Sequence, residues 1–262
     1  MGEPWMIDPR EGIAPDGTIV TGAARSRVPG VFEPLVAAAV EELSARSQVS
    51  VYLYGSVATG QAQPGRSDLD LLTAGLEKDD ARAVAASLFE GFPGLCRGVE
   101  IAVADAGDLV GVTDEAYGIQ VFLRHYCVRL HGPDLSSHLP AFRADSHAAR
   151  GLNGDIGQHA QRWQSELREG HAPQVVGRRL ARKTLLAVAG LVSIHDVTWT
   201  TDRGTAARRW GEVHLELADD LHTLLAWSEG TDLPNSEAVE RAVDVVVPGV
   251  VSAFEGLIGL WA

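Results

Sequence analysis

The sequence predicts an α/β lobe with a small sheet, followed by an all-α lobe. Three observations carry this. Short β-rich apolar runs recur between residues 49 and 104, with one helical stretch between two of them. From about residue 155 to the end the apolar residues recur almost wholly with helical spacing. The chain is 262 residues long and 45% hydrophobic, enough for one large or two ordinary cores.

Residues 1–30 hold several Gly and Pro with little periodicity and are expected to form an irregular N-terminal arm. From Pro34 to Ser47, Leu35, Val36, Ala39, Val40 and Leu43 make one helical stripe. Strands are expected over Val49–Tyr54, Leu69–Thr73 and Gly98–Ala104, with a helix from about Asp79 to Glu90. A helix over Glu115–Arg124 and a strand over Cys127–His131 come next, before Gly132-Pro133-Asp134. The pattern loosens around 140–157. Helices are then expected over about 155–169, 174–194, 204–228 and 235–260. The division is an arm at 1–30, an α/β domain at 31–145 and a helical domain at 146–262.

The segment from Tyr54 to Leu71, YGSVATGQAQPGRSDLDL, carries the chemistry. A strand stops at Gly55-Ser56, a loop containing Gly and Pro follows, and the next strand brings Asp68 and Asp70. Alternate strand residues share a face about 7 Å apart, so the two carboxylates point one way and Leu69 and Leu71 the other. Such carboxylates repel each other unless water, a base or a metal compensates, and hard oxygen ligands suit Mg2+. The Gly-Ser corner offers N–H groups and a hydroxyl to a phosphate. Either half alone occurs in ordinary loops; together they read as a metal–nucleotide site.

Gly55-Ser56, Gly60 and Ser67-Asp68-Leu69-Asp70-Leu71 resemble the signature of the DNA polymerase β nucleotidyltransferase superfamily. The resemblance implies a third carboxylate on a later strand, and Glu100 in Arg97-Gly98-Val99-Glu100-Ile101 fits it. It implies an α/β nucleotidyltransferase lobe with a small mixed sheet, followed by an all-α helical-bundle lobe. The two-lobe layout is similar to aminoglycoside adenylyltransferases of the streptomycin/spectinomycin type, which are antibiotic-resistance enzymes. In that likeness Asp68 and Asp70 hold Mg2+, with Glu100 as general base or further metal ligand. Gly55, Ser56 and Ser67 take the nucleotide, ATP. Arg203 follows Thr200-Thr201-Asp202 where those enzymes place a basic triphosphate ligand, and Trp163 stands in a stretch where they place an acceptor-binding tryptophan. Arg178 with Arg182, and Arg179 with Lys183, are i,i+4 pairs that form a basic ridge. Arg182 and Lys183 are candidates to neutralise the departing pyrophosphate. Glu212, Glu216, Asp219 and Asp220 read as an acidic helix that suits ammonium groups or simply faces water.

Thirty-five acidic residues against twenty-two basic ones give a net charge of −13. That field disfavours phosphate backbones and attracts polycations, so a small cationic acceptor is expected rather than nucleic acid. Cys96 and Cys127 form neither a framework nor metal-ligand spacing, and the nine histidines form no close ligand motif. No apolar stretch reaches membrane-spanning length. The start lacks the pattern of a secretory signal, so the cytoplasm is the expected location. Two rival functions use the same site: adenylylation of a protein or tRNA, as in toxin–antitoxin systems, and a nucleotide-sensing module.

Overall fold

A computed structural model describes residues 11–46, 48–104, 107 and 109–262. The first ten residues of the expected arm lie outside the described residues. The chain divides into two compact units, one of Thr21–Phe142 and one that joins residues 11–20 with Arg143–Ala262.

Part of the expected irregular arm is a small ribbon. Strands β1 (Gly12–Ile13) and β2 (Ile19–Val20) pair antiparallel around a turn. Asp16 closes that turn by accepting from the Thr18 N–H at 3.0 Å and the Thr18 hydroxyl at 2.7 Å. Its side chain offers the backbone a local alternative to a longer strand.

In the Thr21–Phe142 unit the order is α1 (Glu33–Ser44), β3 (Ser50–Tyr54), α2 (Gly55–Thr59), β4 (Leu69–Ala74), α3 (Lys78–Gly91), β5 (Val99–Ala104), α4 (Asp114–His125) and β6 (Val128–His131). The sheet order is β5-β4-β3-β6, with β4 and β5 parallel and the other pairs antiparallel. The sheet is therefore mixed. One face packs Val51, Leu53, Leu69 and Leu71 against Leu35, Val36, Ala39 and Leu43 of α1 and Ala81, Val84 and Leu88 of α3. Their i, i+3, i+4, i+7 spacing sets the apolar stripe of each helix. The other face gathers Tyr52, Leu72, Ala104 and Leu123. The segment after Gly55, expected as loop, begins with the short helix α2, which Gly60 ends in a left-handed conformation at φ +79.

The second unit continues with α5 (Ser146–Asn153), α6 (Ile156–Arg168), α7 (Pro173–His195), α8 (Arg203–Val213), α9 (Ala218–Glu229), α10 (Ser236–Arg241) and α11 (Val247–Leu257). Leu180, Leu185, Val188 and Leu191 of α7 are fully buried, and the long helix forms the centre of this core. Three expectations are corrected. Helix α5 lies in the segment expected to be loose; Asp145 caps it, accepting from the Ala148 N–H at 3.0 Å. The helix expected over 204–228 is two helices that break at His214, where φ is −126 and ψ 79. Gly211 allows the fold-back, since a β-carbon there would lie 3.1 Å from the Ala218 Cα. The last helix carries a π turn over Ala242–Val246, just before Pro248. Proline has no N–H to give the carbonyl four residues back, and a wider turn accommodates that loss.

Candidate active site

Strand register assembles the carboxylates. Asp70 on β4 stands opposite Glu100 on parallel β5, and opposite Tyr54 on antiparallel β3. Ahead of the strands the pairing continues: the Leu69 N–H donates to the Gly98 carbonyl at 2.9 Å, and the Arg97 N–H to the Ser67 carbonyl at 2.9 Å. Asp68 therefore sits beside the start of β5. The expected alternation holds, since Leu69 and Leu71 are fully buried while the Asp68 side chain keeps 14% exposure and Glu100 is exposed.

Gly55 makes room for this arrangement. Its backbone has φ +71, and a β-carbon there would lie 2.3 Å from Asp70 Oδ2. Only glycine adopts this conformation without steric cost and lets β3 turn into α2 past the carboxylate. Ser67 works as a clasp on the intervening loop. Its hydroxyl accepts from the Gln63 N–H at 2.9 Å, and its own N–H donates to the Gln63 carbonyl at 3.0 Å. Ser56, in the first turn of α2, accepts at its carbonyl from the Gln61 and Ala62 N–H groups at 2.9 and 3.1 Å.

Two further residues belong to the site that the motif alone does not reveal. Arg97 donates through Nε to Asp68 Oδ1 at 3.1 Å and through a terminal nitrogen to Oδ2. That hydrogen-bonded pairing, with the charges of Glu100 and Asp70 behind it, holds the guanidinium more firmly protonated than usual. Tyr54 has its hydroxyl pushed above the ordinary tyrosine range, first by burial and then by the charges of Asp70 and Glu100. Its ring meets Phe122 edge-on at 5.0 Å, and Phe122 stacks on Tyr126 at 5.6 Å. The signal for Arg97 was present in the chain. It lies three residues before Glu100, but its nearness to Asp68 follows only from the parallel register.

Among the described residues no group of three His, Cys, Asp or Glu side chains is arranged to hold a metal ion by itself. Mg2+ is commonly bound by one or two carboxylates together with substrate phosphates. The hard-oxygen pair Asp68 and Asp70 fits that mode, and Asp68 already holds a cation in the form of Arg97.

The other candidates lie in the helical unit. Arg182 is exposed on α7. Lys183 Nζ lies 2.6 Å from Asp155 Oδ1, with Asn153 Oδ1 at 3.3 Å and the Leu152 carbonyl at 3.4 Å. Arg203 opens α8 behind Asp202, whose carboxylate accepts from the Thr205 N–H at 2.6 Å. Trp163 is 2% exposed and stacks on His159 at 5.5 Å. The acids read as one helix are spread over three elements, and three of the four are paired there. Glu212 on α8 meets Arg209 at 3.1 Å, Glu216 in the turn meets His214 at 3.2 Å, and Asp220 on α9 meets Arg241 at 2.9 Å.

The family described as nucleotidyltransferase domain matches residues 36–110. The match covers this segment and not the helices that follow it. The match spans Gly55, Ser56, Ser67, Asp68, Asp70, Arg97 and Glu100, so the carboxylate face described above lies wholly inside the matched segment. Among solved structures, the chain resembles spectinomycin adenyltransferase AAD(9) from Enterococcus faecialis, determined with ATP and spectinomycin. The two align with a TM-score of 0.59 at 12% identity, over 85% of this chain and 99% of the other. That likeness shows a shared fold, a small mixed sheet with its helices followed by a helical unit. No curated protein matches the sequence.

Proposed function

We propose that the chain is a Mg2+-dependent adenylyltransferase that moves AMP from ATP to a hydroxyl of a small cationic acceptor, an aminoglycoside or aminocyclitol. The observation that carries this reading is the placement of Asp70 opposite Glu100 on two parallel strands, with Asp68 just ahead of the first, inside the segment that matches the nucleotidyltransferase domain family. The structural neighbour, solved with ATP and spectinomycin, supports the choice of donor and of acceptor class.

In this reading Asp68 and Asp70 hold Mg2+. Bound there, the ion supplies positive charge to the triphosphate and helps align the attacking and leaving oxygens. Glu100 takes the proton of the acceptor hydroxyl as that oxygen attacks the α-phosphorus, or contributes an oxygen to the metal. The bond from the α-phosphorus to the bridging oxygen breaks, and pyrophosphate carries the electron pair away. The Gly55 N–H and the Ser56 hydroxyl grip the terminal phosphates, and Ser67 holds the loop between them and Asp68. Arg182 and Arg203 supply charge for the departing pyrophosphate. Lys183, the third candidate for this role, is held by Asp155. Trp163 serves the acceptor only through the 2% it exposes or through His159 stacked on it.

The test is a mass-shift screen of purified protein with ATP, Mg2+ and a panel that includes spectinomycin and streptomycin. An adenylyl adduct on at least one panel member is expected, with none when Mg2+ is chelated. Adducts on tRNA or protein, with every antibiotic unmodified, would reject the small-molecule acceptor.

A further inference from the structure

The Arg97–Asp68 pair is unequal. The Asp68 side chain keeps 14% of its surface exposed and that of Arg97 keeps 48%. The carboxylate is fixed by its place at the head of β4, where the next residue, Leu69, is fully buried and bonded to Gly98. The guanidinium ends a long side chain that is half in water. When this pair separates, it is the arginine that moves. An ion pair this open to solvent contributes little net stability, so a better partner on either side displaces it.

Both better partners arrive together in a metal–nucleotide complex. A divalent cation outcompetes a single guanidinium charge for Asp68, while a phosphate offers Arg97 the same two-oxygen edge it now takes from the carboxylate. A free metal ion brings only the first. It must displace Arg97 and leave that charge beside itself, with Glu100 and Asp70 as the remaining compensation. We propose that Arg97 is the resident counter-ion of Asp68 and exchanges it for a phosphate of the incoming Mg2+–nucleotide, so that the site takes metal with nucleotide in preference to metal alone. The inference rests on the reading that Asp68 and Asp70 are metal ligands. It adds Arg97 as a phosphate-binding residue of the nucleotidyltransferase domain.

Two calorimetric titrations test it, on wild type, Arg97→Gln and Arg97→Lys, each shown folded by its thermal melt. One titrant is Mn2+ alone; the other is Mg2+ with a non-hydrolysable ATP analogue. The exchange requires effects of opposite sign. Arg97→Gln binds Mn2+ about three- to tenfold more tightly, because a competing charge is gone, and binds the Mg2+–analogue about tenfold more weakly, because a bidentate phosphate contact is lost. Arg97→Lys keeps a charge without the fork, so its Mn2+ affinity returns toward wild type while the nucleotide deficit persists in part. A purely structural arginine would weaken both titrations in the Gln variant, and a bystander would change neither. Either pattern, or a change in only one titration, overturns the exchange. If neither titrant binds any of the three proteins, the metal–nucleotide reading itself falls and this inference with it. If wild type binds the Mg2+–analogue and the Gln variant behaves identically, only the inference falls.

Discussion

At Gly55 the backbone and a carboxylate share one space, since Asp70 Oδ2 lies 2.3 Å from where a β-carbon would be and φ is +71. Gly55→Ala therefore strains the turn by about 1–3 kcal/mol and pushes the Asp70 carboxylate off its position. The expected result is a lower midpoint in urea together with loss of nucleotide turnover; an active variant of wild-type stability would remove Gly55 from the argument. Asp70→Asn is nearly isosteric, so the fold should survive while Mg2+-dependent pyrophosphate release falls by orders of magnitude. Retained wild-type release would refute the metal assignment. Glu100→Gln separates two roles. As a base, Glu100 contributes about 10²–10⁴-fold to turnover with little effect on nucleotide affinity; as a metal ligand, its loss also weakens the Mg2+–nucleotide complex, which calorimetry reads directly. Asp70 and Glu100 were legible as candidates because each is an acid set among apolar strand residues, and Asp68 because it stands two residues before Asp70 at the edge of such a run. The pairing of Arg97 with Asp68 was not, although its place before Glu100 was visible, because it joins positions 29 apart and exists only once β4 and β5 lie parallel.

Elements of the helical unit are tied by buried or half-buried polar contacts that periodicity does not report. Glu11, just ahead of β1, accepts from the Thr200 hydroxyl at 3.0 Å, the Thr201 N–H at 3.0 Å and the Thr201 hydroxyl at 2.7 Å. This ties the arm to the segment that leads into α8. Between α6 and α7, Asp155 meets Lys183 at 2.6 Å and the His159 ring at 3.1 Å. Burial pushes the Asp155 carboxyl up, but the bond from His159 and the Lys183 charge outweigh it, and the group sits below its ordinary value of 3.8. A carboxyl lowered on folding contributes stability that is complete above its unfolded value and is lost as pH falls through the lowered one. Asp155→Asn should therefore cost about 1–3 kcal/mol at neutral pH, and the gap to wild type should narrow below pH 3.8. Urea unfolding at two pH values measures both; an equal gap at each would show that the charge on Asp155 is irrelevant. Helix α7 was readable because the apolar run from Leu185 to Ile194 is too long for a typical strand, and its residues 187–193 are buried on every side. The break at His214 was not, since acids on both sides of it look like one solvated helix, and the turn depends on how closely Gly211 lets Ala218 approach.

For the whole molecule, the net charge of −13 decides which acceptors approach easily. No helix among the described residues is long and apolar enough to cross a membrane. Of the acids that sequence periodicity grouped as an ammonium-binding helix, Glu212, Glu216 and Asp220 are instead partnered by Arg209, His214 and Arg241. They contribute less local potential than their number suggests. On the basic ridge, Arg179 is likewise tied to Glu166 at 2.6 Å and Lys183 to Asp155, so its repulsion of a polycation is also muted. The long-range field then dominates the encounter, and its reach is about 8 Å at physiological ionic strength and about 3 Å at 1 M. Binding of a cationic aminocyclitol in the presence of the Mg2+–ATP analogue should thus weaken steadily from low to high salt, chiefly through a slower association rate. Stopped-flow association at graded salt checks this. A salt-independent rate for the cationic acceptor would mean that local contacts, not the acidic field of the molecule, select the substrate.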